Sequence, residues 1–233
     1  MKKIFLIGDK LINGEIKSLL EGKAEIVNEP DKSTEIIIET ANFPIEAKKR
    51  SFALIDEKCS PEIPVLTSSL CIAVSELTTI TKFPARLTGI GLYSTFSKAK
   101  LIEIAPSKIT DENVLKNAED FLNSSGLNFA KVPDRTGLVF PRILAMIINE
   151  ASQVYSEKIA SREDIDTAMR LGTNYPFGPL TWADNIGIDL VYNILISLHK
   201  NFGEDRYRPH PVLKEMVDLN FLGVKTKKGF YDY

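Results

Sequence analysis

The sequence predicts a small α/β domain followed by an all-helical domain, and three observations support this prediction. Short apolar runs alternate with helical patterns through the first half of the chain, as in an α/β sheet. Beyond Asp134 the apolar residues have helical spacing throughout. The pattern changes at Pro133/Asp134, which predicts two domains, at residues 1–133 and 134–233.

Seven apolar runs of the first domain predict strands. Only residues 28–34 separate the second run from the third, whereas neighbouring parallel strands need about a dozen connecting residues. One strand–helix–strand unit is therefore either truncated or wired differently. The predicted strands are residues 4–7, 24–27, 35–38, 63–66, 87–92, 100–104 and 129–132. The predicted helices between them are residues 15–20, 44–57, 72–79 and 111–124.

Helical patterns fill the second domain. The segment Ser161-Arg-Glu-Asp164 has the form of a capping box, with an Asp at the reciprocal position, and opens a helix that runs to about Leu171. The other predicted helices are residues 138–155, 180–201 and 211–219.

Composition and charge restrict the class of protein. The 233 residues include 29 Lys and Arg against 31 Asp and Glu, and a formal net charge of −2 argues against nucleic-acid binding as the main role. Two cysteines and two histidines are too few for a disulfide framework or a His-rich metal site. The first apolar run reaches only to Asp9, too short for a signal peptide, and no run approaches the roughly 20 apolar residues of a membrane span. We expect a cytoplasmic protein that does not insert into a membrane.

Three motifs follow one another in the second half of the sequence. They are Asp164-Ile-Asp-Thr-Ala-Met-Arg-Leu-Gly-Thr-Asn-Tyr-Pro-Phe-Gly-Pro-Leu180, Ala183-Asp184-x-x-Gly187-x-Asp189 and Gly223-Val-Lys-Thr-Lys-Lys-Gly-Phe-Tyr-Asp-Tyr233. In this order and spacing they resemble the helical domain of the 3-hydroxyacyl-CoA dehydrogenases, most closely the bacterial 3-hydroxybutyryl-CoA type. A weaker likeness extends back to Ile36. The resemblance implies a reduced Rossmann-like domain, then a helical dimerisation domain, and therefore a homodimer that uses NAD and acyl-CoA.

The resemblance assigns the family's catalytic positions to particular residues of this sequence. The family uses a His general base paired to a Glu, with a Ser and an Asn contacting the substrate oxygen. The family Glu falls on Glu103, but the His falls on Gly91 and the Asn on Pro141. An ungapped register puts Leu70 on the reactive Ser, and Ser68 is a candidate for that role only in a gapped register. The resemblance therefore implies that the general base is missing.

The nucleotide-binding positions depart from the family in a similar way. A Gly-x-Gly-x-x-Gly segment after the first strand lets the backbone approach a pyrophosphate at a helix N-terminus. Here Gly8 is kept, a lysine and an asparagine replace the other two glycines, and Asp9 adds negative charge. Gly14 could serve in a shifted register, and Lys48 matches a family lysine, so Gly8, Gly14 and Lys48 are the candidate NAD contacts. Alternatively, the run Lys48-Lys49-Arg50 is a solvated helix face or a contact for CoA phosphates.

Three functions are consistent with these positions. The first is a dimeric family member that has lost hydride transfer, binds NAD weakly or not at all, and keeps an acyl-CoA-related role. The alternative is an active 3-hydroxybutyryl-CoA dehydrogenase, an oxidoreductase of fatty-acid or butanoate metabolism, with a rebuilt site in which Tyr93 and Ser94 are the obvious substitutes for the base. The third, thioester chemistry at Cys71, needs a thiolate-stabilising partner that the sequence does not show.

Overall fold

The computed structural model describes residues 1–99 and 101–233, which form two compact units, Met1–Leu138 and Val139–Tyr233. The boundary predicted at Pro133/Asp134 lies a few residues before this division. The intervening residues belong to the first unit because they are bonded into it. The Asp134 carboxylate accepts the backbone N–H groups of Val74 and Ser75, each at 2.8 Å.

Seven strands of the first unit form one sheet, which confirms the predicted α/β class. They are β1 (Lys2–Ile7), β2 (Ala24–Val27), β3 (Ile36–Glu39), β4 (Val65–Ser68), β5 (Leu87–Ile90), β6 (Ile102–Pro106) and β7 (Phe129–Lys131). The strand order is β2-β1-β3-β4-β5-β6-β7, and all neighbours are parallel except the antiparallel pair β5 and β6. Lys100, at the start of the predicted strand 100–104, lies outside the described residues.

The short link between β2 and β3 joins two strands that are not neighbours. Both strands pair in parallel with β1, one on each side of it. Residues 28–35 contain no helix, and fully extended they reach about 26 Å, enough to return along a four-residue strand. The unit is therefore both truncated and wired so that its strands flank β1.

Four helices cover this sheet. They are α1 (Lys10–Leu19), α2 (Ile45–Lys58), α3 (Val74–Leu77) and α4 (Glu112–Ser124), with 3₁₀ turns at Pro84–Arg86 and Phe96–Ala99. The core packs Phe52 and Ile55 of α2 against Ile37, Val65 and Leu87 of the strands, all shielded from solvent. The helix predicted to include residues 15–20 begins earlier, directly after a capping aspartate at residue 9.

The second unit is helical, as predicted. Its helices are α5 (Phe140–Ser156), α6 (Arg162–Thr173), α7 (Pro179–Ile186), α8 (Ile188–Phe202) and α9 (Pro211–Asp218), with 3₁₀ turns at Asp205–Tyr207 and Val224–Thr226. The segment predicted as helical over residues 180–201 contains two helices. Gly187, at φ 104°, breaks it into α7 and α8, and a Cβ there would lie 2.6 Å from Asp189 Oδ1 and from Lys225 Nζ. Within the described residues, no helix has the length and apolar character needed to span a membrane.

Candidate functional site

Gly91 and Glu103 are neighbours where the sheet becomes antiparallel. β5 ends at Ile90, and the next N–H, that of Gly91, donates to the Glu103 carbonyl oxygen of β6 at 2.9 Å. Glu103 is buried, with 9% of its surface exposed. The two positions onto which the family's His and Glu were carried therefore lie side by side in this fold.

The space in front of Gly91 is occupied by Leu138. A Cβ built on Gly91 would lie 3.1 Å from Leu138 Cδ1 and 3.7 Å from Glu103 Cβ. A contact of 3.1 Å is already tight for one added carbon, and an imidazole would require the leucine to move. Position 91 therefore has no imidazole, and a side chain added there would press against Leu138. Pro141, onto which the family Asn was carried, lies in the first turn of α5 and is buried.

Tyr93, two residues after Gly91, is a titratable side chain that the sequence offered in place of the family's base. Burial raises the pKa of its phenol well above the usual range, and the charges of Glu103 and Glu15 raise it further. A phenol that keeps its proton near neutral pH does not accept one from a substrate hydroxyl. Tyr93 is therefore suited to hydrogen bonding rather than to general-base catalysis.

Ser68, at the end of β4, belongs to a buried polar network. Its Oγ donates to Asn42 Oδ1 at 2.7 Å, and Asn42 Nδ2 donates to the Leu92 carbonyl oxygen at 2.9 Å. Solvent reaches none of the Ser68 surface and 5% of Asn42. The hydroxyl proton is used inside the protein, so Ser68 has no proton directed at a substrate in this arrangement.

Lys48 points from α2 into the sheet. Its Nζ lies 2.5 Å from Glu39 Oε2 and 2.9 Å from Thr67 Oγ1, and all three side chains are completely buried. The expectation that Lys48 shares a solvated face with Lys49 and Arg50 is wrong, because only the latter two are exposed. The Lys48 ammonium is bound to protein groups on the inside and is not presented to a cofactor or to CoA phosphates.

Gly8 and Gly14 have different surroundings. Gly8 directly follows β1 at φ 116°, where a Cβ would lie 2.6 Å from the Ala41 backbone nitrogen and 2.8 Å from Thr40 Oγ1. Packing of the turn therefore requires glycine there whether or not a ligand binds. Gly14 lies inside α1, and a Cβ built on it would meet nothing within 4 Å.

The N-terminus of α1 is closed by Asp9. The Asp9 Oδ1 accepts the backbone N–H groups of Leu11 at 2.8 Å and Ile12 at 3.0 Å. These two are among the N–H groups that a helix leaves unpaired at its first turn and that a pyrophosphate would use. The residues present at this turn therefore do not fit the phosphates of the NAD that the resemblance implies.

Glu15 was not singled out by the sequence, yet it joins α1 to the loop after β5. Its carboxylate accepts the backbone N–H groups of Thr95 and Ser97, each at 2.9 Å, and the Ser97 hydroxyl. The contact spans about 80 positions of the chain, so no local pattern indicates it. This contact holds the loop that follows Gly91 against α1.

Two aspartates from the motifs of the second unit form hydrogen bonds within that unit. Asp166 accepts the N–H groups of Leu180 and Thr181 at the start of α7. Asp184 accepts those of Phe230 and Tyr231, each at 2.9 Å, and so anchors the C-terminal segment. Burial raises the pKa of Asp184 to about 6, and these hydrogen bonds oppose that shift. Across the residues that the structure describes, no group of three or more His, Cys, Asp and Glu could hold a metal ion.

Comparison with known proteins gives consistent results for both units. The model of the 3-hydroxyacyl-CoA dehydrogenase NAD binding domain matches residues 15–134, and that of the C-terminal domain of the same family matches residues 137–233. The first match begins after the turn that contains Gly8 and Asp9. The chain is 35% identical over 219 residues to the 3-hydroxybutyryl-CoA dehydrogenase of Clostridioides difficile, covering 91% of this chain and 78% of that one. It is 33% identical over 205 residues to the probable 3-hydroxybutyryl-CoA dehydrogenase of Bacillus subtilis, covering 88% and 71%.

Two solved structures share the fold of this chain. FadB2 of M. tuberculosis superposes with a TM-score of 0.81 at 24% identity, over 99% of this chain and 90% of that one. The (S)-3-hydroxybutyryl-CoA dehydrogenase PaaH1 of Ralstonia eutropha superposes with a TM-score of 0.80 at 24% identity, over 100% and 99%. At these identities the likeness concerns the fold alone.

Proposed function

The chain belongs to the 3-hydroxyacyl-CoA dehydrogenase family, and on that premise we propose that it is a dimeric, acyl-CoA-related member with an impaired hydride-transfer site. The observation that carries this proposal is the glycine at position 91, beside Glu103, where an added Cβ would lie 3.1 Å from Leu138 Cδ1. Oxidation of a 3-hydroxyl requires a group that takes the hydroxyl proton. General acid–base catalysis typically contributes about 10²–10⁴-fold to a rate, so its loss removes most turnover.

The same proposal includes weak binding of NAD. The family relationship favours NAD as the cofactor, whereas the Asp9 carboxylate occupies two N–H groups that the pyrophosphate would need. Lys48, one of the candidate NAD contacts, is fully buried. The loss of the base and the closed phosphate position affect two separate parts of the reaction, and either alone slows it.

An active 3-hydroxybutyryl-CoA dehydrogenase is the second candidate. It is favoured by 35% identity to the C. difficile enzyme of that name and by the presence of Glu103 at the family position. In that case a group other than an imidazole would take the proton. Tyr93 is the candidate that the sequence offers, and its raised pKa argues against this role.

We also propose that the protein is a cytoplasmic homodimer that associates through the helical unit. Several large apolar side chains of that unit are exposed, among them Leu171 at 74% and Ile143 at 54%. Exposed apolar side chains that adjoin one another mark association sites. Sedimentation should give a dimer at micromolar concentration, and Leu171→Asp should shift it towards monomer. A natural protein that sediments as a monomer would contradict this assignment.

The function is tested by the rate of NADH oxidation with acetoacetyl-CoA, measured on the full chain beside an active family member. We expect no turnover above background, with acyl-CoA binding detected by calorimetry. Clear turnover that is lost in Glu103→Gln would instead establish the second candidate. Absence of both turnover and acyl-CoA binding would contradict the acyl-CoA-related role.

A further inference from the structure

The N-terminus of α1 has the N–H groups and the partial positive charge of an anion-binding site, but the Asp9 carboxylate already occupies it. The helix begins directly after β1, at the carboxyl edge of a parallel sheet, where a dinucleotide pyrophosphate binds in folds of this class. A helix of ten residues presents unpaired N–H groups and a partial positive charge at this end. Here the Asp9 carboxylate satisfies the N–H groups of Leu11 and Ile12.

We propose that Asp9 acts as a built-in anion that keeps dinucleotides off this turn. A phosphate oxygen that bonded to the same N–H groups would have to displace Asp9 Oδ1 and would then lie beside its charge. Two unit charges about 4 Å apart near a protein surface repel by an energy equivalent to roughly a thousandfold in a binding constant. The inference rests on the proposed loss of NAD binding and names the residue that causes it.

Contacts on both sides of Asp9 keep the turn in this conformation. Asn13, one turn along α1, accepts a hydrogen bond from Thr40 Oγ1 at 2.8 Å, and the Asn13 N–H donates to the Asp9 carbonyl oxygen at 2.9 Å. Gly8 on the other side fits against the Ala41 backbone without room for a Cβ. Since the flanking residues are fixed, the side chain of Asp9 is the part of the turn that substitution can remove without moving the backbone.

The test uses two substitutions at Asp9 and a matched control. Asp9→Asn keeps a capping oxygen and removes the charge, whereas Asp9→Gly removes both, and either residue is acceptable at an N-cap. Asp111 caps α4 in the same way, through the N–H groups of Asn113 at 2.9 Å and Val114 at 3.1 Å. Asp111→Gly therefore opens a helix N-terminus that is not at the β1–α1 turn.

Calorimetric titration measures the affinity of the full chain and of the three variants for inorganic pyrophosphate and for NADH. We expect Asp9→Gly to bind pyrophosphate at least about tenfold more tightly than the natural protein, Asp9→Asn to be intermediate, and Asp111→Gly to be unchanged. Equal affinity in the natural protein and both Asp9 variants, with unchanged circular dichroism, would overturn the inference. An equal gain in Asp111→Gly would also overturn it, because any opened helix end would then suffice.

The NADH titration separates this inference from the proposed function. Tight NADH binding by the natural protein would contradict the weak NAD binding proposed above, whatever the Asp9 variants do. Weak binding by the natural protein, with no gain in Asp9→Gly for either probe, would leave the proposed function standing and remove Asp9 as its cause. If the affinity for pyrophosphate and for NADH rises in the order natural protein, Asp9→Asn, Asp9→Gly, the result supports both the inference about Asp9 and the proposed function.

Discussion

The Lys48 ammonium lies 2.5 Å from the Glu39 carboxylate, and solvent reaches neither side chain. Thr67 completes the arrangement, since its Oγ1 accepts a hydrogen bond from Lys48 at 2.9 Å and donates one to Glu39 at 2.7 Å. The other Glu39 oxygen accepts the Ala41 N–H at 2.9 Å. Two charges removed from water are stabilised only when their remaining hydrogen bonds are made, and here they link α2 to the ends of β3 and β4.

Lys48→Met should strongly destabilise the first unit. The substitution leaves the Glu39 carboxylate buried without a cation, and removal of one partner of a buried ion pair costs about 3–5 kcal/mol. Urea unfolding followed by circular dichroism measures the change. The double variant Lys48→Met/Glu39→Leu should be more stable than Lys48→Met alone, because no unpaired charge then remains.

The neighbouring lysine provides the control for this prediction. Lys49 lies on the same helix but is exposed, with a long contact of 3.8 Å to Glu46. Lys49→Met should change stability by less than about 0.5 kcal/mol, as expected for an exposed position. If the two lysine variants unfolded at the same urea concentration, the buried pair would have no special contribution to stability.

The strands could be predicted from the sequence, but the partners of Lys48 could not. Strands buried on both faces form continuous apolar runs, and Ile36-Ile37-Ile38 is recognisable on that basis alone. The run Lys48-Lys49-Arg50, in contrast, is uniformly charged. Which of the three faces inward depends on how α2 is rotated against the sheet and on Glu39 at the end of β3. The sequence around Lys48 specifies neither the rotation of α2 nor the position of Glu39 relative to that helix.

The same limit applies to the candidate site. The β1–α1 turn could be predicted because its glycine and its acidic residue directly follow the first apolar run in the sequence. Leu138 in front of Gly91, and Glu15 beside Thr95, are contacts between distant parts of the chain. The break at Gly187 was missed for a different reason: the apolar spacing continues across it, and only the φ of one residue divides the helix.

Gly91→His should destabilise the protein by about 1–3 kcal/mol, because an inserted side chain overpacks the space held by Leu138. Leu138→Ala alone should cost about 2–5 kcal/mol as a cavity. Together the two should cost about 0.5–3 kcal/mol less than their sum, since the imidazole would use the vacated volume. Chemical unfolding of the four proteins measures this coupling.

A distant cavity should not couple to position 91. Ile63 is buried just before β4, at the opposite end of that strand from Ser68. Ile63→Ala combined with Gly91→His should therefore be additive within about 0.5 kcal/mol. If Gly91→His coupled as strongly to Ile63→Ala as to Leu138→Ala, Leu138 would not be the residue that limits the size of a side chain at position 91.

Asp184 should make the stability of the protein depend on pH. Burial, with a smaller contribution from the charge of Asp166, raises its pKa from the ordinary 3.8 to about 6. Between these values the folded state holds a proton that the unfolded state has lost, so stability falls as the pH rises and levels off above about 7. Compared with Asp184→Asn, the natural protein should gain about 1.4 kcal/mol when the pH is lowered from about 7.5 to about 5.

Thermal unfolding of both proteins at the two pH values measures this difference. Asp218→Asn is the control, because the Asp218 carboxylate is exposed in a surface pair with Lys214. The control variant should follow the pH dependence of the natural protein. A parallel response of Asp184→Asn and the natural protein would show that Asp184 does not titrate in this range.

Gly14→Ala should stabilise the protein, and Gly8→Ala should do the opposite, although both glycines were candidate contacts for NAD. Gly14 lies in the interior of α1 with open space around it, where alanine is favoured by about 0.5–1 kcal/mol. Gly8 has φ 116° and a Cβ would lie 2.6 Å from the Ala41 nitrogen, so alanine there is both strained and crowded. Urea midpoints of the two variants should move in opposite directions, and NADH titration of Gly14→Ala should match the natural protein. A loss of NADH affinity in Gly14→Ala would instead identify Gly14 as a point where the backbone approaches the dinucleotide.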